Sequence, residues 1–197
     1  MYPSLQLPWS SDPSSEEITY RSAGLVNTKG SIFLLPPPEP VLRQAFTAPA
    51  RPRSEMSSGA IALCKHFERG GASSEHGRAH PFWTRPVGSN SNKDRIANDI
   101  LEKMLEDTAW KNVLLLHKGV AVYEIRNHKG YGMRWTLDVQ EQSENGQAKE
   151  EDEKSRRWTI TKTTFRGYLE PIIGLDHELS TNANPEGRSA AQVAPVP

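Results

Sequence analysis

Two short segments that set aromatic side chains beside glycine and arginine constrain the fold more than any other part of the chain. They are residues 130–137 (Gly-Tyr-Gly-Met-Arg-Trp-Thr-Leu) and residues 165–171 (Phe-Arg-Gly-Tyr-Leu-Glu-Pro). Successive side chains of a strand point to opposite faces of a sheet, so Met133, Trp135 and Leu137 share one face, which we assign to the core. The pattern predicts that both segments are strands of one compact antiparallel sheet.

The residues before and between these segments predict a helix and two further strands. Between residues 91 and 110 apolar residues recur with helical spacing, and Ser91 is a suitable N-cap. Residues 120–126 are rich in β-branched and aromatic side chains, and residues 156–162 alternate in the same way. The predicted fold class is therefore α+β, with a small antiparallel sheet of about four strands packed on one principal helix.

Composition divides the remainder of the chain. Only 36% of the residues are apolar, whereas roughly 45–50% is usual for globular domains when glycine is counted. We interpret residues 1–55, which are rich in serine and proline, as a long disordered leader, and residues 56–87 as an extended arm that packs on the domain. The α+β domain is predicted at residues 88–179, with a disordered acidic loop at 139–155, and a disordered tail at 180–197.

Charge and cysteine content disfavour several classes of protein. Lysine plus arginine and aspartate plus glutamate both number 24, so no global field attracts nucleic acid or a membrane, and we expect neither as a partner. Cys64 is the single cysteine, which excludes an internal disulfide. We expect a cytoplasmic or nuclear protein with a protein or small-molecule ligand. Met56, where the composition changes, is a hypothetical alternative start.

Four residues could bind a metal ion. Cys64 and His66, followed by His76 and His80, give a C-x-H pair and an H-x₃-H pair, with ligand types that suit zinc. Their spacing fits no zinc-finger pattern, and the glycines between them favour a flexible loop. We therefore expect no metal and no cofactor, and keep these four only as candidates.

Acid–base catalysis is a second possibility. Glu170 and His177 are the best catalytic candidates, because a histidine flanked by carboxylates is chemically adequate for proton transfer. Arg134 could hold an anionic group bidentately. These three residues predict a small acid–base or hydrolytic enzyme, provided that they surround one pocket.

A non-catalytic role is the main functional hypothesis from the residues. Arg134, Tyr131, Arg166 and Tyr168 would form an arginine and aromatic face of the sheet, suited to binding or scaffolding. The arginines could instead pair with acidic residues such as Glu124 and serve the structure. We take the chain as a binding or scaffold protein, with the small enzyme as the alternative.

The two strand segments also resemble a family of small uncharacterised eukaryotic proteins, mainly fungal. In that family a G-Y-G-x-R-W strand is followed by an F-x-G-[FY]-x-E-P strand, and the resemblance extends from about Cys64 to Glu178. It implies no activity. Its members continue into an acidic Gly-His-Glu segment and a Trp-Arg-His ending. This chain matches the first only partly and lacks the second, so a site formed by that ending would be missing here.

Overall fold

The computed structural model describes residues 6–69, 80, 82–141 and 158–171. Four helices come before a four-stranded sheet, and a short 3₁₀ turn joins the first two strands. The elements are α1 Ser15–Ser22, α2 Glu39–Thr47, α3 Ser58–Arg69, α4 Asn90–Glu106, β1 Trp110–Leu116, β2 Val120–Arg126, β3 Gly132–Glu141 and β4 Trp158–Leu169.

The sheet is antiparallel throughout, with strand order β1-β2-β3-β4. Tyr123 of β2 pairs with Trp135 of β3, as expected for the predicted hairpin. The α+β class is therefore confirmed. The predicted core face of β3 is also confirmed, because Met133, Trp135 and Leu137 are all buried.

The principal helix is confirmed, although its ends differ from the prediction. Ser89, not Ser91, is the N-cap of α4, and its side chain accepts a hydrogen bond from the Asn92 amide at 3.3 Å. The helix ends at Glu106, and Trp110 already belongs to β1. Its apolar stripe faces the core as expected, with these residues buried: Ile96, Ala97, Ile100, Leu101 and Met104.

One long strand, β4, replaces the two short strands expected at residues 156–162 and 165–169. The strand continues because a bulge absorbs the change in register. Arg134 pairs with Gly167 and Trp135 with Phe165, which leaves Arg166 as the extra residue. Gly167 has φ +148°, a conformation that favours glycine.

The expected disordered leader is corrected for residues 6–55, which contain α1 and α2 and contribute to the core. The Val26 amide donates to the Lys111 carbonyl, and the Ile32 amide donates to the Val113 carbonyl, both at 3.0 Å. The leader therefore runs along the outer edge of β1, the side that is not paired with β2. Its buried apolar residues are Tyr20, Leu25, Ile32, Leu42 and Phe46. Burial of these side chains offsets the entropy of ordering the segment.

Local signals for both leader helices are present in the sequence. Ser14 caps α1, accepting from the Glu17 amide at 3.2 Å, and serine followed three residues later by glutamate is a helix-start signature. Pro40 stands in the first turn of α2, where its missing N–H costs nothing. The composition averaged over residues 1–55 does not show these two local signals.

The structure also differs in part from the predictions for residues 56–87 and 139–155. The arm at residues 56–87 contains helix α3 and ends in a segment whose Trp83 is buried. Strand β3 extends to Glu141, so residues 139–141 of the expected loop are strand. The remainder of that loop and the tail at 180–197 lie outside the described residues. None of the described helices is long and apolar enough to cross a bilayer.

A buried charge cluster joins β2 to β3. Glu124 is 0% exposed, and its two carboxylate oxygens accept from Arg126 Nε at 2.6 Å and from Arg134 Nε at 2.7 Å. Arg134 therefore pairs structurally with Glu124, one of the two roles considered from the sequence. Removing one partner from such a buried pair leaves an uncompensated charge, so the cluster restricts which residues can occupy these positions.

The packing of the leader generates a testable prediction. The Tyr20 hydroxyl accepts from the Val113 amide at 2.8 Å, so Tyr20→Phe leaves a buried amide unsatisfied. We expect this change to lower the free energy of unfolding by about 1–3 kcal/mol. Urea denaturation measures it. Ile18→Ala, at a site of α1 that is 52% exposed, is the control and should change stability little. Equal stability of both variants would contradict docking of the leader.

Candidate active site

Three hydrogen-bonding groups converge on one carboxylate oxygen at the end of β4. The Oε1 atom of Glu170 lies 2.7 Å from His66 Nε2 and 3.1 Å from His80 Nε2. The indole N–H of Trp83 donates to the same oxygen at 2.9 Å. Because an indole nitrogen can only donate, Oε1 acts as an acceptor, which is the role of an ionised carboxylate oxygen.

These groups come from distant parts of the sequence. His66 lies in the last turn of α3, whereas His80 and Trp83 belong to the segment between α3 and α4. Arg126 Nη1 donates to the Glu170 carbonyl at 3.0 Å and to the Gly130 carbonyl at 2.5 Å. The buried charge cluster thus holds the end of β4 against the β2–β3 turn and positions Glu170.

Backbone contacts determine which nitrogen of His80 carries the proton. The amides of Phe82 and Trp83 donate to Nδ1 of His80 at 3.1 and 2.8 Å. Nδ1 is therefore an acceptor without a proton, and the neutral ring carries its proton on Nε2. That proton points to Glu170. Both nitrogens of His80 are engaged, so this ring orients the carboxylate.

His66 is engaged differently. Because an ionised carboxylate has only acceptor atoms, the close Nε2 atom of His66 is a donor to Oε1 as well. Nδ1 of His66 is then the atom that can exchange a proton. A carboxylate that orients an imidazole and stabilises its protonated form is a recurrent arrangement in acid–base catalysis.

Aromatic rings surround the cluster. Tyr131 lies with its ring centroid 5.8 Å from that of His80, and the Tyr168 ring lies 6.0 Å from His66. Burial and the nearby Glu170 charge raise the pKa of Tyr131 above its usual value. Burial also raises the pKa of Tyr168 well above its usual value, with a smaller effect from Cys64. Both phenols therefore stay protonated at neutral pH.

The same side chains form a potential metal-binding group. Ligand atoms of His66, His80 and Glu170 lie within 4.8 Å of one another. A metal ion at Nε2 of His80 would require that nitrogen to lose its proton while Nδ1 still accepts two amides. The ring would then be an imidazolate, which is unfavourable at neutral pH. The donor set fits a hydrogen-bonded relay, in which His66, His80 and Trp83 all donate to Glu170, better than a metal ion.

The structure brings together some of the predicted site residues and separates others. Glu170, Tyr131 and Tyr168 belong to this site, and so do His66 and His80, which we had considered only as metal ligands. Arg134 is buried against Glu124. Arg166 is exposed in the β4 bulge, and Cys64 is not part of the potential metal-binding group. His76 and His177 lie outside the described residues.

Trp83 is a site residue that the sequence analysis missed. The His-Pro-Phe-Trp segment signalled an arm that must pack on something, but not a donor to a carboxylate. The partner lies 87 residues away along the chain. No local pattern reports a hydrogen bond over that separation.

A family model described as the CdiA C-terminal tRNase toxin domain matches residues 46–142, just under half of the chain. The match includes His66 and His80 and ends before Glu170. No curated protein matches, and no solved structure matches.

This match corrects three expectations. It places the similarity with a bacterial toxin family and not with uncharacterised fungal proteins. It contradicts a non-catalytic binding or scaffold role and favours the alternative of a small enzyme. It also conflicts with our expectation that nucleic acid is not a partner. That expectation rested on the balance of charge over the whole chain, which does not describe one local surface.

The hydrogen-bonded relay leads to a prediction about metal ions. We expect equimolar zinc, or excess EDTA, to leave the thermal unfolding midpoint of the protein unchanged, because His80 has no free lone pair directed at a shared site. Differential scanning calorimetry is the measurement. A midpoint that rises with zinc in the wild-type protein but not in His66→Gln would show that the cluster binds the ion.

Proposed function

We propose that this chain is an RNA-cleaving domain that acts on tRNA, with its active site at His66 and Glu170. The observation that carries the proposal is the convergence of His66, His80 and Trp83 on one Glu170 oxygen. The similarity to a tRNase toxin domain supplies the substrate class. Because tRNA is abundant in the cytoplasm, we propose that the domain acts there.

The relay supports cleavage by the ribose 2′-hydroxyl of the substrate itself. His66 Nδ1 removes the proton from this hydroxyl, and the 2′ oxygen attacks the neighbouring phosphorus. The bond from phosphorus to the 5′ oxygen breaks as the new bond forms. The products are a 2′,3′-cyclic phosphate and a 5′-hydroxyl end, and no outside reactant is required.

The carboxylate of Glu170 stabilises the imidazolium that forms on His66. His80 and Trp83 hold the carboxylate in place, so it does not need to reorient during the reaction. Tyr131 borders His80, with ring centroids 5.8 Å apart, and its hydroxyl carries a proton at neutral pH, although burial and Glu170 raise its pKa and so make it a weaker acid. We assign Tyr131 as the group that protonates the leaving 5′ oxygen.

Local positive charge favours the binding of a polyanion at this site, although the net charge of the chain is zero. Lys65 precedes His66, and Lys129 lies two residues before Tyr131; both lysines are exposed. Lysines beside a catalytic cluster attract phosphates over roughly the Debye length of about 8–10 Å. A chain-wide balance of acids and bases averages this effect away.

Substitution at His66 tests the proposal. With purified full-length protein and total tRNA, we expect His66→Gln to lower the cleavage rate by about 10²–10⁴-fold, because a general base is lost. Gel electrophoresis gives the rate, and phosphatase treatment identifies the cyclic phosphate at the new 3′ end. Glu170→Gln should lower the rate as well, with calorimetry to confirm that each variant is folded.

His117→Gln is the matched control, since His117 is an exposed histidine in the turn between β1 and β2. It should cleave at the wild-type rate. If His66→Gln and His117→Gln cleave equally fast, the site is assigned wrongly. If the folded wild-type protein leaves tRNA intact, the proposed function itself is wrong.

A further inference from the structure

A cavity of about 400 Å³ lies beside the candidate site and has no part in the proton transfers proposed above. Its size falls within the range of small-molecule sites. Apolar and charged side chains line it together. They are Phe82, Thr84, Ile100, Lys103, Glu106 and Asp107.

Phe82 connects this cavity to the catalytic cluster. Phe82 lines the cavity, and its ring stacks on Tyr131, with centroids 4.5 Å apart and planes 6° from parallel. Tyr131 in turn borders His80. A nucleotide with its phosphate at His66 could therefore place an adjacent base against Phe82, since aromatic rings favour stacking with bases.

The charged residues of the cavity present a specific set of donors and acceptors. Lys103 can only donate hydrogen bonds, and the carboxylates of Glu106 and Asp107 can only accept them. Within the described part of the chain, none of these three side chains forms an ion pair with another residue. By contrast, Glu102 on the same helix is paired with Arg43.

Guanine is the base that complements this set. Its N1–H and N2 amino group are adjacent donors that suit a carboxylate, and its O6 and N7 atoms are acceptors that suit a lysine. Adenine and cytosine each have only one donor group beside their ring acceptors, and uracil has a single N–H. The wall formed by Phe82 and Ile100 would cover the apolar faces of the ring.

We propose that this cavity binds a guanine base next to the phosphate that is cleaved. Glu106 accepts from the N1 and N2 groups of the base, and Lys103 donates to its O6 atom. Phe82 stacks on the ring. The inference rests on the proposed RNA-cleaving function for its place in the reaction, but binding of the base is a property of the cavity alone.

Nucleotide binding tests the cavity without any cleavage. Isothermal titration of the full-length protein with guanosine 5′-monophosphate, and separately with adenosine 5′-monophosphate, should show tighter binding of guanosine by about 5- to 150-fold, the effect of one well-placed bidentate contact. Glu106→Gln should bring the two affinities within about threefold of each other. Asp99→Asn, on an exposed part of α4, should keep the wild-type preference.

Cleavage of defined oligonucleotides places the base in the reaction. Substrates that carry one guanosine in a uridine background should be cut next to it, and replacement of that guanosine by inosine, which lacks the N2 amino group, should slow the reaction. In Glu106→Gln the guanosine and inosine substrates should be cut at equal rates. Cleavage of both by the wild-type protein at one rate would overturn the inference.

The outcomes separate the two proposals. Equal affinities for the two nucleotides, or a preference that survives Glu106→Gln, would reject the guanine cavity and leave RNA cleavage standing. A clear preference for guanosine in a protein that cleaves no RNA would reject the proposed function and leave the cavity as a guanine site.

Discussion

A carboxylate with no access to water, Glu124, stands between two arginines at the centre of the sheet. Desolvating a charge is costly unless it is paired, so Arg126 and Arg134 must be present and correctly oriented for the strands to come together. Arg126 also donates to the carbonyl of Glu170. The pairing that compensates the buried charge of Glu124 therefore also positions Glu170, the residue around which the candidate site is built.

The leader contributes to the same core. The indole N–H of Trp135, in the middle of the sheet, donates to the Leu42 carbonyl of α2 at 3.1 Å. Phe46 stacks edge-on against Phe165 of β4, and Gly59 must lack a side chain because the Phe46 ring occupies that space. Residues that look like a spacer by composition thus complete the packing of the sheet. A chain beginning at Met56 would expose the surfaces that they cover.

The candidate site arises where α3, the His80 segment and the end of β4 meet. Helix α3 contributes His66, the His80 segment contributes His80 and Trp83, and the end of β4 provides Glu170 itself. The side chains of His66, His80 and Glu170 are partly buried, so their hydrogen bonds are stronger than in bulk water while solvent still reaches the carboxylate. The backbone amides that engage His80 decide that its role is to orient and not to ligate, a distinction that residue types alone do not make.

The sequence by itself determined the α+β class, the hairpin of β2 and β3, the apolar stripe of α4 and the inward face that carries Trp135. Each of these follows from local periodicity, which the chain records within a few residues. Only the tertiary structure decided that Arg134 serves Glu124, and that His66, His80 and Trp83 meet Glu170. These contacts join residues up to 104 positions apart, and such distances are set by the packing of whole elements, which no local pattern encodes.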